Sequence, residues 1–159
     1  MSLSQQLLAD LRAASGSVPK TFQAADGPRR VRCETTRCEK LAATIDALTL
    51  ETAELAAVSV AQLEAASAAL CRRVNYLLEP ISPIETDAEG CTVQMRSNPP
   101  QRDDDGRRYY ELMLRRGGAV ELFRYEKPPG AARLRTTAVL THEVVGRLVD
   151  DFSATVDGI

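Results

Sequence analysis

Residues 29–79 read RRVRCETTRCEKLAATIDALTLETAELAAVSVAQLEAASAALCRRVNYLLE and contain neither glycine nor proline. The stretch is rich in Ala, Leu and Glu, which are among the strongest helix formers. It follows the turn-like Asp26-Gly27-Pro28 and runs into Pro80, where a proline would end a helix. The stretch therefore predicts a long helix, or two helices in succession, within residues 33–80.

The spacing of small and apolar residues in this stretch supports a helix with one buried stripe. From Leu41 to Leu77 such residues recur about every 3.6 positions, the period of a straight α-helix. The sequence TRCE at residues 36–39 has the form of a capping box at the helix start. The sequence SVAQ at residues 59–62 has the same form, so a break near Ser59 is the alternative to one unbroken helix.

The flanking segments predict different structures. Residues 1–32 indicate a short helix, with a capping box in SLSQ at residues 2–5, followed by a linker. From residue 91 the hydrophobic period changes to 2, which is typical of strands, and alternating segments begin at Cys91, Tyr110, Val120 and Leu134. Thr141 then caps a final helix with an apolar stripe.

We therefore predict an α+β fold in three segments. Residues 1–32 form a short helix and linker, residues 33–80 form a long or once-broken helical region, and residues 81–159 form a four-stranded antiparallel meander capped by a C-terminal helix. The stripe of the last helix would pack on the sheet face that carries Val93, Leu112 and Leu122, giving a two-layer core.

The charge is unevenly distributed. Residues 91–141 carry ten basic and six acidic side chains, whereas residues 33–79 carry four basic and seven acidic ones, in a chain of net charge −2. No apolar run approaches the ~20 residues that span a bilayer, and the N-terminal residues lack the pattern of a secretory signal. We expect a cytoplasmic protein with no membrane partner and with reduced thiols.

The second face of the predicted sheet is the best candidate for a binding site. Aromatic rings among arginines on an open sheet can stack bases and neutralise phosphates. The alternative is that the long helix covers this face and makes Met113, Phe123 and Val139 a second core layer. The candidate anion- or nucleic-acid-binding residues are Arg96, Tyr109, Arg115, Phe123, Tyr125, Arg133 and Arg135.

The predicted helical region is the candidate surface for protein contacts. Long helices with a stripe of Ala and Leu commonly dimerise or dock on partner helices. The candidate interface residues are Leu48, Leu55, Leu63 and Leu70.

No motif predicts a metal, a cofactor or a reaction. Cys33 and Cys38 are five residues apart, which is not a zinc spacing. His142 is the only histidine, and no nucleophile or carboxylate is linked to it by sequence. Cys38 would lie in the first turn of the predicted helix, where the helix dipole favours a reactive thiolate. We expect no metal and no cofactor. The absence of any motif for a reaction favours a protein that is not an enzyme.

These patterns lead to one expected function and two alternatives. We expect a non-enzymatic protein-interaction or assembly module that acts through its helical region, with a protein partner or self-association as a homo-oligomer. The first alternative is a nucleic-acid-binding module that uses the face of arginines and aromatic rings. The second is a small-molecule-binding α+β domain with a pocket between sheet and helix.

Overall fold

The computed structural model describes residues 1–159 and contains three α-helices and one antiparallel sheet of ten strands. The helices are α1 (Leu3–Ala13), α2 (Val60–Arg73) and α3 (His142–Asp157). The strands are β1 (Lys20–Asp26), β2 (Arg29–Cys38), β3 (Ala42–Thr52), β4 (Ile81–Asp87), β5 (Thr92–Ser97), β6 (Gln101–Asp103), β7 (Gly106–Arg115), β8 (Ala119–Lys127), β9 (Leu134–Thr136) and β10 (Ala138–Thr141). None of the helices has the length and apolarity to cross a bilayer.

The long helix predicted within residues 33–80 is wrong. Most of its first half is β2 and β3, which pair as a hairpin, and only Val60–Arg73 is α-helical. In β2 every second residue from Val31 to Thr35 is buried, which is the strand period. A lack of glycine and proline permits a strand as well as a helix, and the many threonines favour the strand. The apparent 3.6-residue period arises because buried residues of β3 and buried residues of α2 fall into one series along the sequence.

The local helix-start signals were more informative than that long period. Ser59 Oγ accepts a hydrogen bond from the Gln62 amide, and the Ser59 amide donates to Gln62 Oε1 at 2.9 Å. The capping box at residues 59–62 is therefore confirmed as the start of α2. The box at residues 2–5 likewise begins α1, and Thr141 caps α3. The TRCE sequence at residues 36–39 instead lies at the end of β2.

The four-stranded meander is also wrong as a description of the sheet. The strand order is β1-β2-β3-β8-β7-β5-β4, with β6 on β7, β9 on β8 and β10 on β3. The first three predicted strands are β5, β7 and β8, which do lie side by side. The fourth is divided at Thr137 into β9 and β10, and these pair with different neighbours. Five further strand segments, β1 to β4 and β6, complete the sheet, most of them in parts of the chain predicted as helix or loop.

The three helices and one face of the sheet share a single hydrophobic core. α1 contacts β1 and β2, α2 contacts β4 and β5, and α3 contacts β3 and β10, while α1 and α2 both pack on α3. Leu112 and Leu122, which are paired across β7 and β8, belong to this core. The cluster takes residues from Leu3 to Val156, so it draws on all three predicted segments.

The four leucines predicted as a helical interface all lie in this core. Leu48 is in β3, Leu55 is in a short 3₁₀ turn after β3, and Leu63 and Leu70 are in α2. Each of them is 0% exposed. In this fold they stabilise the helix layer against the sheet, and they offer no surface to a partner.

Candidate anion and nucleic-acid interface

The face of the sheet opposite the helices carries the predicted arginines and aromatic rings. On β7, Leu112 and Leu114 point into the core, so Tyr109 and Glu111 point to the other side. The register places Tyr109 opposite Tyr125 on β8, and Tyr125 opposite Arg135 on β9. We call this side of β5, β7, β8 and β9 the open face, because no helix packs on it. The alternative, in which a long helix covers this face, is therefore wrong.

Guanidinium groups lie over the aromatic rings of the open face. The Tyr109 and Tyr125 rings are stacked with their centroids 5.8 Å apart. The Cζ atom of Arg133 is 4.0 Å from the Tyr125 centroid, and that of Arg135 is 4.0 Å from the Phe123 centroid. Such cation–π contacts hold an arginine in place. The rings therefore act as supports for guanidinium groups and are not bare stacking platforms.

A buried carboxylate fixes one of these arginines. Arg133 Nη1 donates to Glu111 Oε1 at 2.9 Å and to Tyr109 Oη at 3.3 Å. Glu111 is only 4% exposed and also accepts a hydrogen bond from Gln94 Nε2. The hydrogen bond to Tyr109 contributes most to raising the pKa of the Arg133 guanidinium, burial opposes it, and Glu111 raises it further. Arg133 is thus a permanently charged group of fixed position.

Three cations lie side by side across three neighbouring strands. In the β6–β7 pair Arg102 is opposite Arg107, and in the β7–β8 pair Arg107 is opposite Lys127. We call these residues the cation row. None of them forms an ion pair, although seven other arginines of the chain do. Like charges directly opposite each other destabilise a sheet, so the row costs folding free energy in the absence of an anion.

The cation row lines a concave pocket of about 610 Å³ on the open face. Its other charged residues are Arg96, Arg133 and a single carboxylate, Glu85. We call it the basic pocket. Residues of β4, residues of the connection that follows β5, and Tyr109 also line it. Four cations without an ion-pair partner, next to the Arg133–Glu111 pair and one carboxylate, favour an anionic ligand.

The sign of the charge changes farther along the same face. A shallower concavity of about 360 Å³ adjoins the basic pocket at Glu85 and Gln94, and Asp87 and Arg115 also line it. Arg115 is paired with Glu121, its nitrogen 3.1 Å from the carboxylate oxygen. This end of the face therefore carries carboxylates and a neutralised arginine.

The structure brings together six of the seven residues predicted for the binding face. Arg96, Tyr109, Phe123, Tyr125, Arg133 and Arg135 form one contact network. Arg115 is on the face but outside the basic pocket. No residue of the cation row was among those predicted from the sequence. Arg107 and Lys127 are in phase with Tyr109 and Tyr125, so extending the alternation by one step would have found them, whereas Arg102 lies in a segment predicted as a loop.

The other candidate residues do not assemble into a site. Cys38 ends β2 and is buried, so the helix dipole expected to activate its thiol is absent. Burial raises the pKa of the Cys33 thiol to about 12, so this thiol stays protonated. His142 is buried at the start of α3. No group of three or more His, Cys, Asp or Glu side chains is arranged to hold a metal ion.

The groups on the open face are of the kinds that can bind anions. Fixed guanidinium groups can fork the oxygens of phosphate or carboxylate, and unpaired cations add attraction without the loss of an existing ion pair. Comparison with protein-family models, with curated proteins and with solved structures finds no match for the chain.

Proposed function

We propose that this protein is a non-enzymatic binding module whose open face binds single-stranded nucleic acid. The observation that carries the proposal is the cation row of Arg102, Arg107 and Lys127, which lie opposite one another without an anionic partner. A protein keeps a locally unfavourable arrangement mainly where function requires it. Phosphates placed over the row would relieve the repulsion between its cations.

The spacing of the site suits a chain of phosphates. Neighbouring strands are roughly 4.8 Å apart, so the row from Arg102 to Lys127 extends over roughly 10 Å. The cations Arg96, Arg133 and Arg135 continue the positive charge over β5 and the β8–β9 region. A repeated anion fits such a strip better than a single small carboxylate does.

The exposed guanidinium groups favour a single strand over a duplex. Arg133 and Arg135 each lie over an aromatic ring and are exposed to solvent. Unstacked bases can pack on arginine planes as they do on aromatic rings, whereas the bases of a duplex are not available for such contacts. Contacts of this kind depend little on base identity, so we expect broad sequence tolerance.

Salt dependence provides the first test. Each phosphate neutralised in a single strand contributes about −0.7 to the slope of log K against log salt. Four unpaired cations in the pocket therefore correspond to a slope of about −3. Fluorescence anisotropy of a 3′-labelled, mixed-sequence 12-nucleotide DNA, measured from 50 to 200 mM NaCl, gives this slope directly.

A pair of double variants makes the test specific to the open face. Arg102→Ala with Arg107→Ala removes two cations of the row, and we expect at least tenfold weaker binding and a slope shallower by about 1.4. Arg12→Ala with Arg72→Ala is the matched control, because these exposed arginines lie on α1 and α2 and form no ion pair. Absence of binding by the unmodified protein at 50 mM salt, or equal losses in both double variants, would contradict the proposal.

A protein partner or self-association stays a prediction. The four leucines predicted to form the partner surface are buried in the core of this fold. Solution mass by light scattering after size exclusion would test it, and a mass above 17.3 kDa that does not change with salt would support self-association.

A further inference from the structure

We infer that the basic pocket receives the end of the bound strand, as a terminal phosphate monoester. This inference rests on the function proposed above and assigns a particular part of the ligand to the pocket. It comes from three features of the open face: the charge density of the pocket, the change of sign beside it, and the pre-set positions of two of its arginines.

The charge density of the pocket exceeds what one internal phosphate needs. A phosphodiester carries a single negative charge, whereas a phosphate monoester carries about −1.5 to −2 at pH 7 and presents three terminal oxygens. Arg96, Arg133 and the cation row surround one volume of about 610 Å³. Arg133 is paired with Glu111, so four unpaired cations and Glu85 remain, and this surplus suits a doubly charged end group together with the first phosphodiester of the strand.

The surroundings of the pocket make it an end point for a polyanion. Residues of β4 and of the connection that follows β5 line it, and the open face next to it carries Glu85, Asp87 and the Arg115–Glu121 pair. A strand that continued in that direction would bring its next phosphate against carboxylates. On the side of the pocket towards Tyr125 the surface is positively charged, because Arg133 and Arg135 lie over that ring. The chain of the ligand therefore leaves on that side only.

Two arginines of the pocket are already positioned by contacts with Tyr109. Arg96 lies over Tyr109 with its Cζ atom 5.4 Å from the centroid, and Arg133 donates to the Tyr109 hydroxyl. Positions fixed before binding lower the entropy lost when a ligand is held. A terminal phosphate has enough free oxygens to meet donors from several directions at once.

Anisotropy with short oligonucleotides tests the inference. The probes are a 6-nucleotide DNA with a 5′-phosphate, the same DNA with a 5′-hydroxyl, the same DNA with a 3′-phosphate, and a 7-nucleotide DNA with hydroxyl ends. The last probe adds one internal charge and controls for general attraction. We expect one of the phosphorylated probes to bind at least fivefold more tightly than both hydroxyl probes.

Two variants locate the effect. Arg96→Gln should remove most of the preference for the phosphorylated end, because Arg96 lines the pocket. Arg135→Gln should weaken all probes by a similar factor, because Arg135 lies outside the pocket over Phe123. A preference that survives Arg96→Gln unchanged would overturn the inference.

The remaining outcomes separate this inference from the proposed function. Equal binding of phosphorylated and hydroxyl probes, with salt dependence retained, overturns the terminal-phosphate inference and leaves the nucleic-acid proposal standing. No binding by any probe ends both. Competition by a nucleoside monophosphate as strong as that of the phosphorylated oligonucleotide would assign the pocket to a free phosphate ester and would overturn the strand-end assignment.

Discussion

The two faces of β7 bury their side chains to similar extents by different means. Leu112, at 0% exposed, is covered by the helix layer, whereas Glu111, at 4% exposed, lies on the face without helices and is covered by Gln94 and Arg133. One face is stabilised by removal of apolar surface from water. The other consists of arginines supported by rings and a carboxylate, next to cations that repel one another. Folding stability and ligand binding should therefore respond to different substitutions on a single strand.

The largest expected effect is on the helix face. Leu112→Ala leaves a cavity in the core, and we expect it to reduce the free energy of unfolding by about 2–5 kcal/mol. Met113→Ala is the control, because Met113 is the next residue of β7 and is half-buried on the open face. It should reduce the free energy of unfolding by clearly less. Urea denaturation followed by circular dichroism measures both. Equal losses would show that the open face contributes to the core as much as the helix face does.

An intermediate effect is expected where an arginine has its partners. Arg29 donates to Glu54 and to Asp157, and so connects β2 to the 3₁₀ turn and to the end of α3. We expect Arg29→Ala to cost about 1–2 kcal/mol at pH 7, since these charged hydrogen bonds are partly exposed. Thermal melts compare the variant with the unmodified protein. A stability gain on removing Arg29 would contradict the distinction between paired and unpaired arginines.

The Arg29 contribution should also depend on pH. The hydrogen bond from Arg29, with help from Thr52, holds the pKa of Glu54 below its ordinary value of 4.5. A lowered pKa in the folded state stabilises the protein above the ordinary value, and this stabilisation is lost as the pH falls through the folded value. The difference in free energy of unfolding between Arg29→Ala and the unmodified protein should become smaller below about pH 4.5. A gap that is the same at pH 3 and pH 7 would argue against this ion pair as its source.

The smallest expected effect has the opposite sign. Arg107→Gln relieves the repulsion within the cation row, and we expect a gain of about 0.2–1 kcal/mol in the free energy of unfolding, together with weaker binding of single-stranded DNA. Arg30→Gln is the control, because Arg30 lies opposite Glu51 and should give no gain. Loss of stability in Arg107→Gln would show that Arg107 has a structural partner and would weaken the case for a ligand.

The sequence predicted local features of this fold better than its long-range pairing. A capping box such as that at residues 59–62 depends on four consecutive residues, so it can be recognised without the rest of the chain. The choice between helix and strand for β3 depends also on β8 and β10, which are distant in sequence. Most of the binding face could be found because Tyr109, Phe123 and Tyr125 follow the strand alternation. Arg102 could not be predicted in this way, because β6 is only three residues long and forms through its pairing with β7.

The edge of β3 that faces away from β2 has a consequence for how the chain is made. That edge is completed by two strands from the second half of the chain, β8 at Leu48–Glu51 and β10 at Ala42–Ile45. During synthesis on a ribosome, β3 emerges long before either partner, so its backbone amides and carbonyls on this side have no permanent partner. Unpaired strand edges of this kind promote aggregation. The nascent chain should therefore depend on chaperone protection until the last strand has left the exit tunnel.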